Sequence, residues 1–158
     1  LSKFQVKTKL YIVPFENLQK EIIMKVNSKL RMLIYRRFML KIASKVAGMN
    51  KAKFLIVGDS LSQVASQTFE NLEATYTGLD KHVLSPLIGL DKREIIEISK
   101  RIGTYEISTL PYGDCCSYFL AKHPTLKADV KLLEKNEALF DVDKLIEDVL
   151  NKSRIIDF

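Results

Sequence analysis

The stretch "KFLIVGDSLSQVASQTFENL", Lys53 to Leu72, joins an uninterrupted apolar run to a glycine, an acid and a hydroxyl. Because the run does not alternate with polar residues, it predicts a strand buried on both faces, as in a parallel sheet. A helix from about Ser60 to Ala74 is expected to follow it. The turn at Gly58 therefore lies at the carboxyl end of a strand, which is where open α/β sheets bind their ligands.

The rest of the chain repeats this alternation of short strands and helices. It predicts right-handed crossovers and an α/β fold, with a parallel sheet covered by helices on both faces. Ser28 and Asp91 are expected helix caps, and Gly48 and Gly103 are expected helix ends. The other expected elements are strands at Lys9–Phe15 and His82–Leu90, a short strand or extended arm at 105–111, and helices at Glu16–Asn27, Ser28–Gly48, Asp91–Gly103, Leu126–Glu137 and Val142–Asn151.

The composition is that of a folded globular domain with a basic amino-terminal third. The 158 residues are 47% apolar and carry a formal net charge of +6. Residues 1–53 hold 13 Lys and Arg against two Glu, whereas residues 54–158 have a net charge of −5. This asymmetry favours a polyanionic partner such as nucleic acid or a nucleotide, although a solvated lysine-rich surface remains the alternative. No apolar run is long enough to predict a membrane span.

The cysteines and histidines of the chain predict neither a disulfide-rich protein nor a metal-binding one. The two cysteines, Cys115 and Cys116, are adjacent and do not make a disulfide framework, so a reducing, cytoplasmic location is expected. His82 and His123 have no metal-ligand spacing with these cysteines, so no metal site is predicted.

Two interpretations of the turn at Gly58 remain open on physical grounds. In the first, Ser60 and Gln63 form an S-x-x-Q capping box that satisfies the first amides of the helix. In the second, the turn binds a nucleotide, because glycine lets a ligand approach the backbone and a helix start favours phosphate. Gln63 and Gln67 would then share one helix face, where their amides can both donate and accept hydrogen bonds.

Several motifs together resemble one family. The stretch "GDSLSQVASQT" (58–68) resembles the "GESLGQVASQT" signature of the tRNA 4-thiouridine synthetases, the ThiI family. Further segments of that family are similar to "RRFMLKIASKVA" (36–47), "LSPLIGLDKREIIEISKRIGTYEIS" (84–108) and "LPYGDCCSYF" (110–119). The resemblance covers roughly residues 9–128, with the motifs in the same order.

The resemblance implies a tRNA sulfurtransferase with a Rossmann-like fold of the adenine-nucleotide α-hydrolase (PP-loop) type. ATP, with Mg²⁺, would activate the C4 oxygen of a uridine in tRNA, and sulfur from a persulfide donor would replace that oxygen to give 4-thiouridine. The expected donor is a cysteine desulfurase or a rhodanese-type carrier. No membrane partner is implied.

The resemblance also implies which residues act. The family's nucleotide contacts fall on Gly58, on Gln67 and on one arginine of the "RR" pair, for which Arg37 is favoured and Arg36 is kept. Lys92 matches a lysine linked to adenylation, and the less favoured alternative is an exposed residue that follows a helix cap.

The cysteine pair carries the redox part of the resemblance. Cys115 matches the cysteine that pairs with the persulfide carrier, and Cys116 could substitute for it. A thiolate suits this role because it can attack a disulfide sulfur and release the product sulfur. The alternative is that both cysteines are small buried residues of the core.

The chain also departs from the family pattern. The phosphate-binding "SGGxDS" loop is absent, and so are the RNA-binding and rhodanese domains. Residues 1–158 are therefore expected to form a partial PP-loop domain that lacks its first β-loop-α unit and is inactive alone. An open sheet edge should then lead to homodimerisation or to pairing with a missing amino-terminal portion or a second chain. Asp59 and Ser85 replace the family's usual Glu and Arg.

Two other functions remain as alternatives. One is a non-catalytic RNA-binding module that keeps the basic face. The other is a related PP-loop enzyme that acts on a small metabolite. The basic first third favours RNA over a metabolite, and the paired cysteines favour sulfur chemistry over both alternatives.

Overall fold

The computed structural model describes residues 3–112 and 121–158. Within these residues, strands and helices alternate as far as β3, and mostly helices follow. In chain order the elements are β1 (Lys9–Ile12), α1 (Glu16–Lys25), α2 (Arg31–Met49), β2 (Phe54–Ile56), a 3-10 helix (Ala65–Gln67), α3 (Phe69–Tyr76), β3 (His82–Leu84), α4 (Lys92–Arg101), α5 (Tyr105–Ser108), α6 (Val130–Glu137), α7 (Val142–Asn151) and β4 (Arg154–Asp157).

The strands form two separate pairs. β2 and β3 are parallel, with Phe54 opposite His82, which confirms the parallel pairing expected for this part of the chain. β1 pairs with β4 in antiparallel register, with Lys9 opposite Asp157. No ladder joins the two pairs within the described residues. The described part of the chain therefore forms an α/β fold without one continuous parallel sheet.

β2 is buried on one face only, which corrects the expectation of burial on both. Leu55 is buried against Leu40 and Ala47 of α2. Its neighbours Phe54 and Ile56, on the opposite face, are 50% and 73% exposed. The run is apolar on both faces of the strand. Among the described residues, α2 and its neighbours cover only one of these faces.

An open apolar groove of about 840 Å³ lies between β1 and β2, with α2 as its floor. Every second residue of β1, and of the chain on either side of it, lines one side of the groove. Leu55 of β2 lines the other side. The groove is therefore bordered by two strands, each of which pairs on only one edge within residues 3–112 and 121–158. Its principal lining residues are Lys9, Tyr11, Val13, Met39, Ile42, Ala43, Val46, Ala47 and Leu55.

Helix α2 is the centre of the molecule. It packs against α1, α3, α6 and α7 as well as β2, which confirms that it is covered on more than one side. This burial explains why its apolar stripe is blurred in the sequence, since a helix surrounded by partners has no single polar face. Its fully buried side chains are Leu33, Ile34, Tyr35 and Phe38.

A buried ion pair ties α2 to α3 and α6. Arg37 is 2% exposed, and its Nη2 donates to Glu137 Oε2 over 2.8 Å. Its Nη1 donates to the carbonyls of Ala74 and Thr77, at 2.5 and 3.2 Å. Lys41 lies 2.9 Å from Glu137 Oε1. Burial raises the pKa of Glu137, but hydrogen bonds from Arg37 and Lys41 outweigh it, so the net shift lowers that pKa.

Several expected boundaries are wrong for local reasons. The helix after Gly58 does not start at Ser60, because Ser62 adopts a left-handed backbone (φ +62°) that ends any helix there. The α-helix begins only at Phe69, capped by Thr68, whose Oγ1 accepts from the Asn71 amide. The arm at 105–111 contains the helical turn α5, and α2 begins at Arg31 without a side-chain cap from Ser28.

The caps of α4 are confirmed. Asp91 Oδ1 accepts from the amides of Arg93 and Glu94, at 2.7 and 3.0 Å, and Glu94 Oε2 accepts from the Asp91 amide at 2.7 Å. Gly103 then closes the helix with φ +72°, a conformation that glycine adopts without steric cost. Among the described residues, no helix is both long and apolar enough to cross a bilayer.

Candidate nucleotide site

The carboxyl ends of the parallel strands β2 and β3 meet at one end of the molecule, as the sequence predicts. The loop after β2 is fastened to the segment after β3, because Leu61 N donates to Ile88 O (3.1 Å) and Ser60 Oγ donates to Leu90 O (2.8 Å). Gly58 is exposed, and a Cβ placed there would meet no atom within 4 Å. The backbone at Gly58 is therefore open to a ligand.

Asp59 organises the polar groups beside this loop. The residue is 4% exposed. Its Oδ2 accepts from Arg36 Nη2 at 2.6 Å and from the Tyr76 hydroxyl, and its Oδ1 accepts from Gln67 Nε2 at 2.9 Å. One carboxylate thus joins three elements: α2, α3 and the 3-10 helix between β2 and α3. The Tyr76 hydroxyl also lies 3.3 Å from Ser85 Oγ.

The surroundings of Asp59 fix the protonation states in this cluster. Burial raises the pKa of Asp59, but hydrogen bonds from Arg36 and Tyr76, together with the Arg36 charge, outweigh it, so the pKa is lowered overall. Burial, together with the hydrogen bond to Asp59, raises the pKa of Tyr76 to about 12. At neutral pH, therefore, Asp59 is a carboxylate that only accepts hydrogen bonds, and Tyr76 is a neutral donor.

A cavity of about 460 Å³ opens next to this cluster. Arg36 and Gln67 contribute polar groups to its wall, while most of the remaining wall is apolar. A cavity with an apolar wall and a few fixed polar groups is typical of a small-molecule site. Its lining residues are Lys29, Met32, Leu33, Arg36, Val64, Ala65, Ser66, Gln67, Pro124 and Thr125.

Asn71 holds one wall of the cavity in place. This side chain is completely buried, and its Nδ2 donates to Ala65 O and Thr125 O, at 2.7 and 2.9 Å. Its Oδ1 accepts from the amide of Ala128 at 2.9 Å. Asn71 therefore fastens the chain around Thr125, where the segment after residue 121 reaches the cavity, to the start of α3.

The structure brings some of the expected site residues together and separates others. Arg36 and Gln67 line the cavity and share Asp59, whereas Arg37 is used in the buried ion pair with Glu137. Lys92 is exposed at the first position of α4, next to the cap Asp91.

The expected capping box is not formed. Ser60 is buried and donates to a backbone carbonyl, and Gln63 is exposed in a turn. The two glutamines do not share a helix face, because only Gln67 belongs to the 3-10 helix. The expected cysteines, Cys115 and Cys116, lie outside the described residues.

The central role of Asp59 and the contribution of Tyr76 were not predicted from the sequence. The signal available for Asp59 was its position directly after Gly58 at the end of an apolar strand, where a buried acid needs partners. Tyr76 ends α3 and is brought to Asp59 by the packing of α3 against α2.

Comparisons with known proteins show the family to which the chain belongs. Residues 1–142 match the family model described as Thiamine biosynthesis protein (ThiI). A probable tRNA sulfurtransferase of Caldanaerobacter subterraneus subsp. tengcongensis is 46% identical over 147 residues, which is 93% of this chain and 39% of that protein. A probable tRNA sulfurtransferase of Thermus thermophilus is 40% identical over 158 residues, which is 100% of this chain and 39% of that protein.

A solved structure has the same fold. The crystal structure of a 4-thiouridine synthetase in complex with RNA and with bound ATP superimposes with a TM-score of 0.88 at 37% identity. The match covers 96% of this chain and 40% of that one. The chain thus spans about two fifths of the length of the proteins it resembles, and it belongs to the ThiI family of tRNA sulfurtransferases.

Proposed function

We propose that the chain is the distal part of the catalytic domain of a tRNA sulfurtransferase, which uses ATP to replace the C4 oxygen of a uridine with sulfur and so makes 4-thiouridine. The observation that carries this proposal is the cavity that Arg36 and Gln67 line together, both held by Asp59, the residue that follows Gly58 after β2. Membership of the family and the ATP bound to the structural relative support the same function.

The adenine nucleotide is proposed to occupy this cavity. Its apolar wall, which includes Met32, Leu33 and Val64, suits the face of a purine. The Arg36 guanidinium, held by Asp59, is suited to neutralise phosphate charge as the uridine oxygen attacks. Between the two arginines considered from the sequence, the burial of Arg37 leads us to propose Arg36 as the phosphate contact.

The polyphosphate and its metal ion need groups beyond this cavity. Among the described residues, no cluster of three Asp, Glu, His or Cys side chains could hold a metal. Mg²⁺ is therefore proposed to be bound mainly by the phosphates, as is common for nucleotide sites. An "SGGxDS" loop supplied from outside these 158 residues would complete the site, and without it the isolated chain is proposed to be inactive.

The tRNA is proposed to contact the basic first third of the chain. The structure narrows the candidates, because six of the 13 cations are held in ion pairs, namely Lys9, Lys20, Lys25, Arg36, Arg37 and Lys41. Arg31 donates to the carbonyls of Ile23 and Val26. The cations for which no ion pair is seen within residues 3–112 and 121–158 are Lys3, Lys7, Lys29, Lys45, Lys51 and Lys53. A location in the cytoplasm, where tRNA is a substrate, is part of this proposal.

Sulfur is proposed to come from a persulfide on a cysteine desulfurase or rhodanese-type carrier. The terminal persulfide sulfur bonds to C4 of the adenylated uridine, the C4–O bond breaks, and AMP leaves with the former C4 oxygen. The Cys115 thiolate then attacks the carrier sulfur, which forms a disulfide between Cys115 and the carrier and releases 4-thiouridine. A dithiol reductant must cleave that disulfide after each turnover. Among the residues that line the cavity, Pro124 and Thr125 are the first to follow the cysteines in the sequence.

The Cys115→Ser variant tests the sulfur step. With a segment that carries the phosphate loop supplied, we expect it to lose at least about 100-fold in persulfide-dependent 4-thiouridine formation, since the disulfide step is blocked, while ATP–pyrophosphate exchange persists. Nucleoside mass spectrometry of the tRNA measures the product. Cys116→Ser is the matched control. Normal turnover of Cys115→Ser together with loss in Cys116→Ser would transfer the role to Cys116, and normal turnover in both would remove it.

The groove between β1 and β2 is proposed to accept a strand from outside these 158 residues. Both bordering strands have an unpaired edge within the described residues, and the α2 floor is apolar. One strand could therefore hydrogen-bond on both sides and join the two pairs into a single sheet. A second copy of the chain, which would give a homodimer, is the competing occupant.

The Ala43→Arg variant distinguishes these occupants. Ala43 lines the floor of the groove, so a charged side chain there should weaken association with a co-expressed phosphate-loop segment by more than about tenfold. Ala138→Arg, at an exposed position, is the control. Analytical ultracentrifugation measures the association. A dimer of the chain alone that Ala43→Arg dissociates would assign the groove to a second copy and contradict the strand proposal.

A further inference from the structure

Gln67 has an amide whose orientation is dictated by its neighbour. Asp59 Oδ1 lies 2.9 Å from the amide nitrogen of Gln67. A carboxylate can only accept hydrogen bonds, so the NH₂ end of the amide must face Asp59. The carbonyl oxygen Oε1 is then the end of the amide left for a ligand, and it has no hydrogen-bond partner among the described residues.

Asp59 is itself held in one position. Its other oxygen, Oδ2, accepts from Arg36 at 2.6 Å and from Tyr76. Because the carboxylate is buried and bonded from three directions, it cannot rotate to accommodate a reversed Gln67 amide without the loss of these bonds. The lowered pKa of Asp59 is consistent with a carboxylate at this position. The acceptor presented by Gln67 is thus fixed before any ligand arrives.

We propose that Asp59 is a specificity-determining positioning residue, which makes Gln67 present an acceptor that selects adenine over guanine nucleotides. The inference rests on the proposed function, because it takes the cavity beside Gln67 to be the nucleotide site. At the equivalent ring position, adenine carries an amino group that donates, whereas guanine carries a carbonyl oxygen that accepts. The acceptor at Gln67 forms a hydrogen bond with the adenine amino group. With guanine it faces a carbonyl oxygen, which is also an acceptor, so no hydrogen bond forms.

The chemistry of the pair indicates how to reverse this preference. In Asp59→Asn, the new side-chain amide can donate to Gln67 Oε1, which allows the Gln67 amide to turn over and present its NH₂ group. The NH₂ group of Gln67 could then donate to the guanine carbonyl oxygen. In the double variant Asp59→Asn/Gln67→Glu, the acid and the amide are exchanged, so the hydrogen bond and the net charge are kept and residue 67 again presents an acceptor.

The test compares ATP and GTP affinities by ligand-observed NMR titration on the protein and these variants. We expect wild type to prefer ATP, Asp59→Asn to lose about tenfold in the ATP-to-GTP affinity ratio, and the exchanged double variant to regain it. Asp59→Glu, the conservative variant, should keep the wild-type ratio. The ratio is informative because general destabilisation or loss of the Arg36 anchor would weaken both nucleotides together.

The outcomes separate this inference from the proposed function. If wild type prefers ATP and Asp59→Asn keeps the same ratio, the nucleotide site stands and the inference is overturned. A ratio that falls in Asp59→Asn and stays low in the exchanged double variant also overturns it, since the direction of the amide would then not be the cause. If wild type binds neither nucleotide, even with the phosphate-loop segment present, the proposed site itself fails.

Discussion

Arg36→Gln is expected to weaken ATP binding by about 10- to 100-fold, while the protein remains folded. In the proposed site the guanidinium contributes a charge-assisted contact to phosphate, and such contacts are worth roughly 1.5–3 kcal/mol. Glutamine can still donate a hydrogen bond to Asp59, so the buried carboxylate keeps a partner in the variant. Isothermal titration calorimetry of ATP in the presence of the phosphate-loop segment measures the affinity, and circular dichroism checks the fold.

Arg101→Gln is the matched control for this prediction. Arg101 is an exposed arginine in the last turn of α4, so the same substitution there removes an equal charge away from the cavity. Its ATP affinity should stay within about twofold of wild type at moderate ionic strength. Equal losses in both variants would show that only net charge matters. An unchanged affinity in Arg36→Gln would remove Arg36 from the site.

Arg37→Ala is expected to destabilise the protein by about 3–5 kcal/mol, which a domain of this size cannot easily tolerate. The substitution leaves the buried Glu137 carboxylate without its main partner and removes the donor to the carbonyls of Ala74 and Thr77. Urea unfolding followed by circular dichroism measures the loss of unfolding free energy.

A double variant separates charge burial from loss of packing. Arg37→Met/Glu137→Met replaces the pair with apolar side chains of similar volume and should recover most of the stability that Arg37→Ala loses. If the unfolding free energy of Arg37→Ala lies within about 1 kcal/mol of the wild-type value and the variant no longer binds ATP, the ion pair contributes little to stability. Arg37 would then regain the nucleotide role that the sequence favoured.

The sequence predicted the strand arrangement around the candidate site better than it predicted the side-chain contacts there. An apolar run that ends in glycine predicted a strand whose carboxyl end lies beside that of the next strand, and the parallel pairing of β2 with β3 confirms this. The caps of α4 were predictable because a capping box depends only on residues three apart. Such local signals do not depend on how distant parts of the chain pack.

The features that the sequence missed depend on distant packing. Arg36 and Arg37 are neighbours, but on a helix they point about 100° apart, and α2 is buried on so many sides that its pattern does not show which arginine is buried. The pairing of β4 with β1 joins the two ends of the described chain, and no short-range pattern predicts it. Ser62 is a local exception, because its left-handed backbone by itself ends the helix that the S-x-x-Q spacing predicted.

A crystal structure of the protein with a non-hydrolysable ATP analogue and the phosphate-loop segment would show where the nucleotide binds. We predict density for the nucleotide in the cavity between α2 and the 3-10 helix, with the adenine amino group at Gln67 Oε1 and a phosphate oxygen within hydrogen-bonding distance of Arg36. A nucleotide bound away from Gly58 that makes no contact with Arg36 or Gln67 would show that this cavity is not the nucleotide site.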